Sequence, residues 1–174
     1  MSSLAAIAVA DVAGAVLAGA GLVKLRQPRA FASLISGFGL PVSTARARVV
    51  GAAEIAIAAT AVVAGGRAAF AAIAVVYAAF ALISTLSVTR GTSCGCFGVE
   101  SAPTTWAHVM LDVMFAAASL IASVGSTPSL AHRLGKHPAQ VSVYVLFVGL
   151  GAYLSVAVMT SAATVSSLRK RVAR

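Results

Sequence analysis

Residues 67–88 read RAAFAAIAVVYAAFALISTLSV, and the fold turns on this stretch. After Arg67 it holds no charged side chain and no two-residue alternation of polar and apolar positions. About 20 apolar residues in a helix are long enough to cross a hydrocarbon core of roughly 30 Å. Backbone facing lipid has no water to bond, so only helices and closed barrels span a membrane. A barrel strand would alternate. The stretch is therefore read as a membrane-spanning helix, apolar on nearly every face.

Similar runs lie on both sides of it, at 4–23, 49–65, 105–124 and 140–162, giving five expected spans. The 174-residue chain is 60% apolar and only 10% charged, well outside the range of soluble domains. Its net charge of +9 does not point to nucleic acid, because the bases lie in the short connections and the C-terminal tail, where membrane proteins keep them. The first run does not read as a cleaved secretory signal: it lacks a basic leading region, is too long, and carries Asp11.

Lys24, Arg26 and Arg29 close the first span, and Pro28 stops its helix. Phe31, Leu34, Ile35 and Phe38 then recur at i, i+3, i+4 and i+7, the pattern of a short amphipathic helix, 29–38, lying along the interface. Gly39 and Pro41 end it, and Ser43 or Thr44 caps the next helix. Gly65-Gly66-Arg67 is too short for anything but an antiparallel hairpin. Gly14, Ala18 and Gly21 give the first span a face of small residues for close helix packing.

Five crossings place alternate connections on alternate sides, so the first connection, residues 89–103 and the C-terminal tail share one side. Lys24, Glu54, His108 and Asp112 all approach that side from within their spans. An ionised side chain inside a span costs at least ~2.5 kcal/mol, so Asp11, Glu54 and Asp112 need partners. Lys24 or Arg48 suits Glu54, Lys24 snorkelling along the interface to reach it. His108 suits Asp112 at i, i+4. Asp11 lies nearer the opposite side and is expected to be structural.

The connection 89–103, TRGTSCGCFGVESAP, alone joins reactive side chains to glycine punctuation. Its Cys94 and Cys96 are the chain's two cysteines. They are a redox pair, part of a metal site, or small apolar filler. A closed zinc site wants four ligands, and His108 would be the only third ligand on this side. For a disulfide the chain must turn at Gly95, since i and i+2 residues in extended chain lie near or past the limit of about 7 Å between Cα atoms. Glycine reaches the required dihedrals, and a small strained ring exchanges readily, which suits a shuttle better than a staple. No bound cofactor is evident. One dithiol cannot relay electrons across the bilayer alone, so redox work would need a thioredoxin-like partner, a quinone, or both.

Gly21-Leu-Val-Lys24-Leu-Arg-Gln-Pro28 with Phe31 and Gly-Leu-Pro41, then Gly51-Ala-Ala-Glu54, then Cys94-Gly-Cys96-Phe97-Gly98, resembles the MauE branch of the DoxX-like membrane proteins over about residues 14–124. The Lys-Leu-x-x-Pro and Glu54 elements are shared with the wider DoxX-like group; Cys-Gly-Cys-Phe-Gly points to the MauE branch. The resemblance implies a four-helix transmembrane bundle core. It also implies thiol–disulfide handling with a thioredoxin-like partner, as in disulfide formation in methylamine dehydrogenase. It makes Cys94 and Cys96 the catalytic dithiol and Lys24 and Glu54 its polar elements; Gly95, His108 and Asp112 join them as supporting residues.

The expected class is thus an all-α membrane protein. Residues 1–124 form the core, with the interfacial helix and the cysteine connection, and 125–174 add a polar link, a fifth C-terminal transmembrane helix and a basic tail. The expected function is that of a thiol–disulfide oxidoreductase component in a bacterial cytoplasmic membrane. The alternative is a non-catalytic scaffold that assembles other membrane subunits, the dithiol being incidental. Lys24, Arg26, Arg29, Arg46, Arg48, Arg90, Arg169, Lys170, Arg171 and Arg174 fall on the dithiol side, against Arg67, Arg133 and Lys136 on the other. The positive-inside rule then puts the N-terminus outside and the dithiol and C-terminus in the cytoplasm. Disulfide formation in exported proteins would want the dithiol outside.

Overall fold

The structure is a computed structural model and describes residues 2–92, 104–125 and 138–172. Among these the chain forms six helices and no strand: α1 (Ser2–Arg26), α2 (Pro28–Gly37), α3 (Thr44–Val63), α4 (Arg67–Arg90), α5 (Trp106–Val124) and α6 (Pro138–Val172). The breaks follow local chemistry. Pro28 opens α2, where its missing N–H is no loss. Gly39 follows α2 at φ +87°, and Ser43 caps α3 by accepting from the Arg46 N–H at 3.3 Å. Gly65 and Gly66 take φ +69° and +94°, which only glycine adopts without strain, and turn α3 into α4.

Among the described residues, four stretches are long and apolar enough to cross a membrane: Ala5–Arg26, Arg67–Arg90, Trp106–Val124 and Val141–Ala162. The expected run 49–65 falls in α3, which differs from the other four. Its Ser43 cap starts the helix at Thr44, so every 18-residue window of it holds Arg46, Arg48 and Glu54. The expected 29–38 helix is present one residue earlier as α2, with Phe31 and Ala32 packed on Ala47 of α3.

α3 runs antiparallel along α1, with Gly14 beside Val62 at one end and Gly21 beside Gly51 at the other. α4 and α5 form a second antiparallel pair, and α1 packs against it. Val16, Leu17, Ala58, Ala61, Phe70, Ile73, Tyr77 and Phe115 fill the space between. The Tyr77 ring meets Phe80 and Phe115 edge-on at 5.7 and 5.1 Å, and its hydroxyl donates to the Ala13 carbonyl at 2.8 Å. Large apolar residues such as Val75, Leu82, Met110 and Ile121 point outward, as a lipid-facing surface requires. α6 lies on α1. A Cβ on Gly151 would come within 2.8 Å of Val12, and the Tyr144 hydroxyl donates to the buried carboxylate of Asp11. Asp11 therefore joins two helices, the structural role its depth suggests.

Candidate functional site

The end of α1, helix α2, the first half of α3, the end of α4 and the start of α5 gather at one end of the bundle. Their arrangement starts from two glycines. A Cβ on Gly21 would lie 2.5 Å from the Gly51 carbonyl oxygen and 3.2 Å from Glu54 Cβ. A Cβ on Gly51 would lie 2.6 Å from the Gly21 oxygen and 2.9 Å from Lys24 Cβ. The helices thus touch backbone to backbone, and each glycine makes the hollow in which the other helix's charged side chain is seated. The sequence carries a signal for this: Gly21-x-x-Lys24 and Gly51-x-x-Glu54 repeat one spacing on two helices.

Lys24 Nζ lies 2.9 Å from Glu54 Oε2, the ion pair that burial of Glu54 demands. Lys24 does not snorkel to the interface as expected; it is 1% exposed, and Glu54 is 3% exposed. The reason is α2. The chain turns at Pro28 and lays Phe31 over the ammonium, and Phe80 of α4 also faces it, the ring centroids 5.1 and 5.0 Å away. Two ring faces and one carboxylate replace the water that Lys24 gives up. Arg48, the other candidate partner, is exposed. Glu54 Oε1 is buried without a hydrogen-bond partner among the described residues.

The expected His108–Asp112 pair is not formed. His108 occupies the third position of α5, and its Nδ1 accepts the Thr105 N–H at 3.3 Å in a capping box. That N–H would otherwise be an orphan at the helix start, so the imidazole turns back along the chain. Asp112 faces α4 instead, where Ser84 Oγ donates to its Oδ2 at 2.8 Å. Sequence reasoning missed Ser84, because a hydroxyl in an apolar run carries no sign of its partner.

Cys94, Gly95 and Cys96 lie outside the described residues. The two ends of their connection are described. Gly91 caps α4 at φ +67°, with its N–H on the Val88 carbonyl and the Thr92 N–H on Ser87. The Thr104 N–H then donates to the Thr92 carbonyl at 3.3 Å, drawing together the points where the chain leaves and returns. Ser87 Oγ and Thr104 Oγ1 are buried beside this root without partners among the described residues. Arg90 stacks on Phe38, the residue that caps the end of α2, at 4.9 Å. The first connection and the root of the cysteine connection therefore share one end of the bundle.

Four long apolar helices, with large apolar side chains facing outward, define a multi-pass membrane protein. Residues 1–125 match the family described as methylamine utilisation protein MauE, and the chain belongs to that family. The wider DoxX-like grouping stays a resemblance, and α6 lies beyond the matched residues. No curated protein and no solved structure matches the chain.

Proposed function

We propose that this protein is a membrane component of thiol–disulfide exchange that supports the maturation of another protein in methylamine utilisation. Cys94 and Cys96 are the working dithiol. On oxidation their two S–H bonds break and one S–S bond forms; the electron pair and both protons pass to the disulfide of a thioredoxin-like partner, which becomes a dithiol. In the reverse direction the partner's dithiol is oxidised and this one restored. A quinone is the alternative acceptor, taking the same electrons and protons as a quinol.

The observation that supports this reading is the fastened root of the connection: a hydrogen bond joins Thr92 and Thr104, between which Cys94 and Cys96 fall in sequence, at the end of the bundle where Lys24 and Glu54 lie. Lys24 and Glu54 are positioning residues here, fixing the wall of α1, α2 and α3 beside that root, and His108 caps the helix that carries the chain away from it.

Alkylation of the purified protein after equilibration in redox buffers should show a two-label mass change with a midpoint between about −300 and −120 mV. Thiols that stay reduced across that window would sink the exchange reading. The scaffold alternative draws on the broad apolar face that α6 leaves exposed, including Leu146, Phe147 and Tyr153. Replacing both cysteines by serine separates the two, since partner maturation that survives this change belongs to a scaffold.

We place the chain in the bacterial cytoplasmic membrane with α1, α3, α4, α5 and α6 all crossing, N-terminus outside and dithiol inside. The support is the excess of bases at the dithiol end. A membrane-impermeant maleimide should therefore leave the reduced cysteines of intact cells unlabelled and label them after permeabilisation. Labelling of intact cells would reverse the orientation and move the exchange to the exported-protein side.

A further inference from the structure

The groove between α2 and the end of α4 touches the root of the cysteine connection only at Thr92. It is a cavity of about 250 Å³ with an apolar wall of Ala30, Leu34 and Phe38 and a polar rim of Ser33, Arg90 and Thr92. Arg90 is held in place by its stacking on Phe38, so its planar guanidinium stands ready without further ordering. The Ser33 and Thr92 hydroxyls rest on the Ala30 and Ser87 carbonyls at 2.9 and 3.5 Å, weak enough in the second case to be redirected. A helix C-terminus ordinarily repels an anion. Here the carbonyls of Ser87 and Val88 already accept the Thr92 and Gly91 N–H groups.

We propose that this groove binds the phosphodiester headgroup of one anionic phospholipid, with Arg90 as the phosphate ligand. Three observations select the lipid. The groove lies where α2, an amphipathic helix, meets the end of an apolar span, the depth at which headgroups sit. Its lining is apolar along one wall and cationic at the rim, matching a glycerol backbone with acyl stems below a phosphate, and a cavity of this size is too small for a folded partner's edge. Arg26, Arg29, Arg46 and Arg48 are exposed at the same end, and no acid among the described residues is exposed to oppose them. The shared chemistry is a phosphate; the apolar wall assigns it to the lipid, since inorganic phosphate has no use for it. The site shares Thr92 with the root of the cysteine connection, so a bound headgroup also braces that root.

The test uses the full chain, purified in a neutral detergent and titrated with phosphatidylglycerol or phosphatidylcholine, read by thermal shift and by lipid retained in native mass spectrometry. One phosphatidylglycerol should be retained and raise the melting temperature, and phosphatidylcholine should be retained about five-fold less, the weight of one surface arginine on an anionic lipid. Arg90→Gln should lose the same factor and Arg90→Lys only part of it. Gly37→Leu adds bulk at a lining position and leaves the net charge unchanged; a Cβ there meets nothing within 4 Å, so the protein should still fold and retain less lipid. Equal retention of both lipids, retention unchanged in Arg90→Gln and Gly37→Leu, or equal stabilisation by inorganic phosphate each overturns the proposal. Salt-sensitive capture of an acidic peptide that Arg90→Gln abolishes, with lipid retention intact, would also overturn it.

Discussion

Lys24→Met should lower the stability of the purified protein in detergent by about 3–5 kcal/mol, the usual cost of stranding one partner of a buried ion pair. The substitution leaves the Glu54 carboxylate 3% exposed, with one oxygen deprived of its ammonium and the other already unpartnered among the described residues. Glu54→Gln should approach this loss more closely than an interfacial lysine would allow, because Lys24 is itself enclosed and cannot retreat to water. It should still cost less. The ammonium keeps the faces of Phe31 and Phe80, whereas the stranded carboxylate has nothing comparable. Lys24→Met with Glu54→Gln should recover part of the summed loss. Denaturant or thermal unfolding of all four proteins in one detergent decides it: strict additivity would mean that the two side chains do not interact.

Gly51→Val should be at least as damaging, at about 3 kcal/mol or more, because it overpacks the crossing and separates the ion pair in the same step. Its Cβ would meet a backbone oxygen at 2.6 Å, and backbone in the middle of a helix has nowhere to move. Gly21→Val should match it for the mirror-image reason. Gly14 supplies the control. A Cβ there lies 3.5 Å from Val62 Cγ2, an ordinary contact, so Gly14→Ala should be close to neutral or slightly stabilising through helix propensity. Thermal melts of the three variants test the contrast. Equal losses at positions 14 and 51 would show that the backbone approach at Gly51 is unimportant.

The Lys24–Glu54 contact is legible in the residues alone, because the cost of a lone carboxylate in hydrocarbon is a strong constraint and few bases lie within reach. The burial of Lys24 is not. It depends on a turn at Pro28 that brings Phe31 to the end of α1, a tertiary event that amphipathic spacing within α2 cannot announce. His108 and Asp112 show the opposite failure: their i, i+4 spacing is real, yet an orphan N–H at Thr105 and a hydroxyl on another helix compete for them and win. Gly14 and Gly21 read alike in sequence, and only Gly21 faces a second glycine across the crossing. Residues 49–65 read as a span, yet the helix that holds them starts at Thr44 and takes in Arg46, Arg48 and Glu54, so it is not among the long apolar stretches although Ala58 and Ala61 lie in the core.

The mutual seating of Lys24 above Gly51 and Glu54 above Gly21 also decides which parts of the molecule move together. Sliding α3 along α1 by one turn, about 5.4 Å, would bring Ala47 or Ile55 to the place where Gly51 stands, and either side chain would wedge the backbones apart. Rotating either helix about its own axis would lift a stem out of its hollow. The two helices are therefore geared into a single plank, and α2, whose Phe31 rests on the ion pair, rides with it. The α4–α5 pair meets this plank through side chains, Tyr77 on the Ala13 carbonyl and Phe80 beside Lys24. The backbone-to-backbone lock thus ends at the edge of the plank, and Thr92 and Thr104, at the two ends of the cysteine connection, flank the helices of the pair.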